Sequence, residues 1–206
     1  MSSHLTNLSE EDGEHLLTQL KGSETEKINA LEFISAIALE NPDAITDSVS
    51  IRDLCSAITD ILDLNSSEPL LIAALSCVVS LLSSIFAFSI YLLPFGLLPK
   101  ANMQLYTTES INIASLCIRI ISFYSLDSPG LVGAFFDINP IQKFFKYLSP
   151  VDQRDVVTML TRIITNSPFG DYSSLLHFSL ELTQHTNPRI RSMGSQILLS
   201  ISERFD

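Results

Sequence analysis

The sequence predicts an all-α fold, and three observations lead to that prediction. Apolar residues recur at the three- and four-residue spacing of amphipathic helices, and no stretch keeps the period-two alternation of a strand. Only 7 of the 206 residues are Gly, too few for the turns of a hairpin-rich sheet. Hydrophobic residues make up 46% of the chain and charged residues 17%, so the chain has enough apolar surface to exclude overall disorder.

Helix start and stop signals divide the chain into a series of helices. Leu16, Leu17 and Leu20 give the apolar face of a short helix that begins near Glu10. Ser23 and Glu26 form a capping pattern that starts a second helix, which ends before Pro42. Further helices are predicted at residues 51–64, for about five turns from residue 70, and at residues 108–124, 131–136, 140–148, 150–166, 172–184 and 188–206.

Short helices, long helices and Ser/Pro/Gly turns alternate along the chain. Each long helix contains two large apolar residues followed by a hydroxyl residue, and successive hydroxyls are 45, 42, 43 and 35 residues apart (Ser35, Ser80, Ser122, Thr165 and Ser200). Armadillo and HEAT units, which have two or three helices each, are of this length. The sequence therefore predicts an armadillo/HEAT-like right-handed α-solenoid of about five helical repeats, as a single domain over residues 10–206 after a flexible segment at residues 1–9.

A long run without a charged side chain, residues 70–98, lies near the middle of the chain. Its first part, residues 70–88, is long enough to span a bilayer. Serines interrupt the run and no basic cluster flanks it, and its place in the repeat is that of a helix with neighbours on both sides. We expect burial by protein, with Val79 and Leu82 in the core. A membrane-embedded helical protein is the alternative.

The net charge of −11 is concentrated in the first third of the chain. Through Glu68 there are 14 Asp and Glu residues against three Lys and Arg residues, whereas the remaining charges cancel. Negative charge repels nucleic acid and anionic lipid, so we expect neither nucleic acid nor a membrane as a partner. The acidic third predicts either a basic protein partner or a solvated face.

The cysteines and the amino terminus indicate a reducing compartment. Cys55, Cys77 and Cys117 each lie in an apolar helical pattern, which is typical of buried free thiols. The first residues do not have the basic and then apolar order of a signal peptide. We therefore expect cytoplasmic and/or nuclear localisation.

Catalytic and metal-binding motifs are absent from the sequence. None of GxxxxGK[ST], GxGxxG, HExxH, CxxC or GxSxG occurs. His177 and His185 are eight residues apart, too far to share a metal ion without other ligands. We therefore predict a non-catalytic protein with no catalytic residue, no metal site and no cofactor.

Polar residues recur at matching places on two long helices, at ten, seven and three residues before the repeated hydroxyl. Offsets of three and four residues keep each trio on one helix face. Long helices line the concave surface of a solenoid. We therefore predict a protein-binding face that contacts a peptide backbone or acidic side chains, with a solvated face as the alternative. Its residues are Asn112, Ser115 and Arg119, matched by Asp155, Thr158 and Arg162.

Four segments resemble the armadillo-like region of HECT-type E3 ubiquitin ligases of the ubiquitin-fusion-degradation class. They are YLLPFGLLP from Tyr91, ESINIASLCIRII from Glu109, SPGLV from Ser128 and INPIQKFF from Ile138. Where the family has Ala-Cys-Arg, this chain is one residue longer between Leu116 and Arg119. The family's catalytic HECT domain is not in these 206 residues.

This resemblance implies a recruiting module that binds a peptide or ubiquitinated substrate, or ubiquitin itself. The first hypothesis is thus a non-catalytic protein-binding solenoid that serves a HECT-type ligase in ubiquitin-dependent degradation. A general scaffold or adaptor subunit of another assembly is the second hypothesis. In that case the acidic first third docks a basic partner.

Overall fold

The computed structural model describes residues 8–63, 65–85, 87–166 and 172–205. Within these residues the chain forms 13 α-helices and no β-strand, which confirms the all-α prediction. A single 3-10 turn lies at Leu93–Phe95 in the described chain. The α-helices are α1 (Glu10–Gln19), α2 (Glu24–Glu40), α3 (Pro42–Ser48), α4 (Ile51–Ile61), α5 (Glu68–Ser84), α6 (Phe88–Leu92), α7 (Leu97–Thr107), α8 (Ile111–Asp127), α9 (Pro129–Phe135), α10 (Ile138–Phe145), α11 (Pro150–Asn166), α12 (Ser173–Thr183) and α13 (Pro188–Phe205).

Five of these helices, α2, α5, α8, α11 and α13, are 17 or 18 residues long. They are the five helices that carry the repeated hydroxyls, so the predicted alternation of short and long helices is confirmed. Helix α3 was not predicted. Pro42 ends α2, but its fixed φ and missing N–H also suit the first turn of a new helix.

The uncharged run at residues 70–98 is divided among several helices. Helix α5 ends at Ser84, and Ala87 then adopts a left-handed conformation with φ 57° before α6 begins. Val78 and Leu81 are fully buried, whereas Val79 and Leu82 are half-buried, so the predicted core positions were wrong by one residue. No helix in the described ranges combines the length and the apolar character needed to cross a membrane.

Two compact units, Met1–Gln104 and Leu105–Asp206, divide the chain. In the first unit α2 packs along α5, and α1 packs against α3 at Gly13. A Cβ atom at Gly13 would lie 1.9 Å from the carbonyl oxygen of Ser48, so this contact requires glycine. The predicted flexible segment, residues 1–9, lies outside the described residues except for Leu8 and Ser9. Ser9 caps α1.

In the second unit α11 packs between α8 and α13, and α12 packs on α13. A Cβ atom at Gly194 of α13 would lie 2.7 Å from the carbonyl oxygen of Ser179 in α12. The Phe145 and Phe178 rings meet edge to face, with centroids 5.3 Å apart, and link α10 to α12. Close backbone contact and aromatic packing therefore hold the last helices of this unit together.

The three cysteines are buried and free, as predicted. Burial raises the pKa of each thiol, at Cys55, Cys77 and Cys117, to about 12. Because the thiolate is the reactive form, these side chains behave as small apolar core residues at neutral pH.

The long helices α2, α5, α8 and α11 share one register of buried positions. With the helices aligned by the serine that immediately precedes each of them, every buried position of α8 has a buried counterpart in α11. In the same alignment all buried positions of α5 except Ala73 have one in α8, and those of α2 except Ala38 have one in α5. The repeated unit is therefore aligned by the start of its long helix. The four serines are Ser23, Ser67, Ser110 and Ser149.

Candidate peptide-binding face

The neighbouring long helices α8 and α11 are joined by one buried carboxylate, that of Asp152. Asp152 lies in the first turn of α11, at the position that Ile113 occupies in α8 and Leu70 in α5. Its side chain is only 4% exposed. An ionised side chain buried at a position that is apolar in α5 and α8 requires hydrogen bonds and an opposite charge to offset its desolvation.

Three side chains supply those interactions. Arg119 Nε donates to Asp152 Oδ1 at 2.7 Å. Ser115 Oγ and Ser149 Oγ donate to Asp152 Oδ2 at 3.0 and 2.7 Å. The Ser149 hydroxyl in turn accepts from the Asp152 backbone N–H at 3.2 Å, as the cap of α11. We call Ser115, Arg119, Ser149 and Asp152 the Asp152 clamp.

The clamp keeps Asp152 ionised. Burial acts to raise the pKa of this carboxyl group. The hydrogen bonds from Arg119, Ser149 and Ser115, together with the Arg119 charge, outweigh burial and hold the pKa below its ordinary value. The Asp152 carboxylate therefore stays ionised across the physiological pH range.

The clamp also fixes Arg119 at the protein surface. The Arg119 side chain is 40% exposed, and its bond to Asp152 uses Nε. Within the described residues Arg119 makes no other hydrogen bond, so Nη1 and Nη2 remain available as donors. A guanidinium held at Nε and open at both Nη atoms matches the two oxygens of a carboxylate. Because Asp152 already restricts the Arg119 side chain in the free protein, binding a carboxylate costs less side-chain entropy.

The structure brings together only part of the predicted protein-binding face. Ser115 and Arg119 meet at Asp152, which was not in the predicted set. Asn112 and Thr158 are exposed. Thr158 Oγ1 donates to the Arg154 carbonyl in its own helix at 3.0 Å. Within the described chain no hydrogen bond or ion pair joins the α8 trio to Asp155, Thr158 or Arg162.

The observed register changes how the two trios correspond. Aligned by the helix starts, Arg119 corresponds to Thr158 and Ser115 to Arg154, whereas the hydroxyl spacing paired Arg119 with Arg162. The discrepancy is four residues, about one helical turn, so Arg162 stays close to the same side of α11. Arg162 is half-buried and Arg154 is exposed. The matched trios therefore share a face without being equivalent repeat positions.

Asp152 could have been found from the sequence. Ser149-Pro-Val-Asp152 has the spacing of a capping box, in which a carboxylate three residues after the cap reaches back to it. The same signal at Ser23 and Glu26 gives an exposed capping box. Aligning the helix starts places Asp152 with the buried Leu70 and Ile113 but also with the exposed Glu26, so the burial of Asp152 follows only from the structure.

No family model matches the sequence, and no curated protein matches it. Solved structures do. A designed armadillo repeat protein in complex with the peptide (KR)4 has a TM-score of 0.72 and 16% identity, covering 97% of this chain and 89% of that chain. A computationally designed armadillo repeat protein for modular peptide recognition has a TM-score of 0.71 and 16% identity, covering 92% of this chain and 82% of that one. The chain has an armadillo-like fold.

A further designed armadillo repeat protein gives a TM-score of 0.70 at 15% identity and covers 93% of this chain and 82% of that one. None of these three similar structures is described as a HECT-type ligase. At these identities the likeness extends to the armadillo-like fold alone. It agrees with the all-α solenoid predicted from the repeat length.

Proposed function

We propose that this armadillo-like chain is a non-catalytic binding module that holds an extended segment of another protein against α8 and α11. The observation that carries the proposal is Arg119, which a buried carboxylate holds at the surface with two donor nitrogens open. Asn112, about two turns before Arg119 on α8, and Thr158 on α11 supply further polar groups for a peptide backbone. The preferred segment carries Asp or Glu at the residue that meets Arg119.

The similar structures support peptide binding as a use of this fold. One of the designed armadillo repeat proteins is in complex with the basic peptide (KR)4. The α8/α11 face of the second unit instead carries the exposed Arg154 and the half-buried Arg119 and Arg162, which outnumber its half-buried Asp155. We therefore expect this face to prefer the opposite charge pattern, an acidic peptide.

The test uses fluorescein-labelled (Asp-Glu)4 and (Lys-Arg)4 peptides with the full chain, measured by fluorescence polarisation at low and moderate salt. We expect (Asp-Glu)4 to bind and Arg119→Ala to weaken it about fivefold or more, as for loss of one charge-assisted pair. Arg162→Ala, measured separately, tests the second predicted arginine.

The control is the double variant K143A/K146A, which removes two positive charges from the second unit at a different helix. If it weakens (Asp-Glu)4 as much as R119A/R162A does, the attraction is general and the proposed face is wrong. Equal binding of (Asp-Glu)4 by wild type and R119A/R162A would also contradict the proposal.

The narrower role implied by the sequence resemblance is recruitment of a substrate or of ubiquitin to a HECT-type ligase in the cytosol or nucleus. The competing role is a fixed scaffold subunit. Affinity purification of the endogenous protein, followed by mass spectrometry, separates them. Ubiquitin-conjugated proteins or a HECT-type ligase among the partners supports recruitment, whereas one constant set of non-ubiquitinated subunits supports the scaffold.

A further inference from the structure

A groove of about 490 Å³ opens on the first unit, far in sequence from the Asp152 clamp. It is formed by residues of α3, by the start of α4, by the end of α5 with the following Ile85, and by α6. Its lining residues are Pro42, Asp43, Thr46, Ile51, Ser84, Ile85, Phe88 and Tyr91. Its volume accommodates one or two large side chains of a peptide.

The groove is lined by one buried and one exposed aromatic side chain, those of Phe88 and Tyr91. Phe88 is 1% exposed, and its ring centroid lies 6.1 Å from that of Tyr91. Tyr91 is 53% exposed, and the adjacent Ile90 is 59% exposed. Exposed tyrosine beside buried aromatic and aliphatic side chains is typical of the residues that anchor a protein partner.

Helix ends of both polarities meet at the groove: the carboxyl ends of α2 and α5 and the amino ends of α3 and α4. Ser67 Oγ at the start of α5 donates to Glu24 Oε1 at the start of α2 at 2.6 Å, so the two packed helices run parallel. Their carboxyl ends meet at the groove, where Asp43 follows α2 and Ser84 ends α5. Neither of these long helices has a basic residue in its last turn to offset the partial negative charge.

Acidic side chains supply negative charge at the groove. Asp43 lines it, and Glu40 and Asp47 lie within four residues of Asp43 in the sequence. The first unit contains 14 acidic and four basic side chains. Two of the four cations, Lys21 and Lys27, line a separate cleft of about 260 Å³.

The other two cations leave the groove acidic. Lys100 pairs with Asp63 at 3.5 Å. Arg52, next to the groove residue Ile51, is the remaining basic side chain of the first unit. The segments that form the groove therefore carry, in or within four residues of the lining, three acidic residues, Glu40, Asp43 and Asp47, against one basic residue, Arg52.

We propose that this groove binds a short segment of a partner protein in which a large apolar side chain lies next to Lys or Arg. The apolar side chain packs between Tyr91 and Ile51 above Phe88. The cationic side chain lies against Asp43 and the carboxyl ends of α2 and α5. This site is separate from the α8/α11 face and would take a partner of opposite charge.

The experiment uses a fluorescein-labelled peptide, Lys-Arg-Phe-Leu-Lys-Arg, and the full chain. The comparison peptide replaces Phe and Leu by Ser and keeps all four charges. We expect the first peptide to bind about tenfold more tightly, and Asp43→Lys and Tyr91→Ala each to remove most of that preference. Asp60→Lys is the matched control, since it makes the same charge change in the separate cleft.

Equal binding of the two peptides would overturn the proposal, and so would equal losses in D43K and D60K, because either result indicates general attraction to an acidic unit. Sedimentation velocity of the unliganded chain tests a different occupant. Self-association that both Y91A and D43K abolish would assign the groove to a second copy of the chain and overturn the proposed partner. R119A leaves this binding unchanged, which keeps the two sites distinguishable.

Discussion

The two units carry opposite charges at one position of the same repeat. Glu32 on α2 and Arg119 on α8 occupy equivalent positions two repeats apart, and every buried position of α2 is also buried in α8. At the equivalent buried position of the neighbouring long helix, the first unit has Leu70 on α5 and the second unit has Asp152 on α11. An exposed glutamate needs no internal partner, whereas the ordered arginine is held by a buried acid. The pattern of buried residues therefore specifies how the helices pack and leaves the sign of the surface charge free to vary.

The largest expected effect tests the register of buried positions that the long helices share. It compares the variants Val78→Asp and Val79→Asp in α5. Val78 is fully buried, so a carboxylate there is desolvated without a partner, and we expect a loss of more than about 4 kcal/mol and of cooperative unfolding in the first unit. Val79 is half-buried, and we expect its variant to remain folded. Urea unfolding followed by circular dichroism measures both. Equal losses would show that the assigned register is wrong.

The second test replaces Asp152, the buried residue that distinguishes the second unit from the first. Asp152→Ala removes the partner of Arg119 and leaves a space, so we expect a loss of about 2–3 kcal/mol, below the usual cost of a fully buried pair because Arg119 is partly exposed. Asp152→Leu adopts the residue of the equivalent position Leu70 and refills that space.

We therefore expect D152L to be more stable than D152A by about 1 kcal/mol or more. Both variants should weaken (Asp-Glu)4 binding similarly, because Arg119 is released in each. Urea unfolding and fluorescence polarisation report the two quantities separately. If D152L binds the peptide like the wild type, Asp152 does not position Arg119.

Close helix contacts provide a test in which the two units should behave alike. Adding a Cβ at Gly13 or Gly194 brings it into the range of a steric clash with backbone oxygen, and we expect G13A and G194A each to cost about 1–3 kcal/mol. Gly130 has no atom within 4 Å of its added Cβ, so G130A is the control, expected within about 0.5 kcal/mol of wild type. Hydrogen exchange by mass spectrometry locates each loss in its unit.

The smallest expected effect is on pH dependence, and only the second unit has the clamp that produces it. The pKa of Asp152 is lower in the folded chain, so its stabilisation is fully present above the ordinary carboxyl value near 3.8 and is lost as pH falls through the folded pKa. In D152L this contribution is absent, so its free energy of unfolding should decline less than that of wild type below about pH 4. Urea titrations from about pH 7 to about pH 3 measure the difference.

The helices were largely predictable from the sequence, and their alignment was less so. Apolar periodicity and proline positions located all five long helices. The apolar-apolar-hydroxyl triplet then misaligned α8 and α11 by one turn, because a helix face repeats nearly every four residues and two apolar residues followed by a hydroxyl recur along it. The serines that precede the long helices give the correct spacing, since a helix start marks a single place in each repeat.

The candidate site was predictable only in part, for a related reason. Ser115 and Arg119 were recognised as polar residues on one face, but Asp152 resembled an exposed acid in a first helical turn, where acids are common. Its role depends on packing between two helices, which periodicity within one helix does not report. The groove beside Tyr91 was not predicted either, because it assembles residues from segments that are distant in the chain.

The aligned serines also have a consequence for protein engineering. Ser67 already occupies, in the acidic unit, the place that Ser149 occupies in the Asp152 clamp. The other three members of the clamp correspond to Ile28, Glu32 and Leu70. Ile28→Ser, Glu32→Arg and Leu70→Asp would therefore transplant the whole motif onto α2 and α5. The clamp is therefore a motif that three substitutions could move between repeats, exchanging one exposed glutamate for an arginine held by a buried carboxylate while the helix positions are kept.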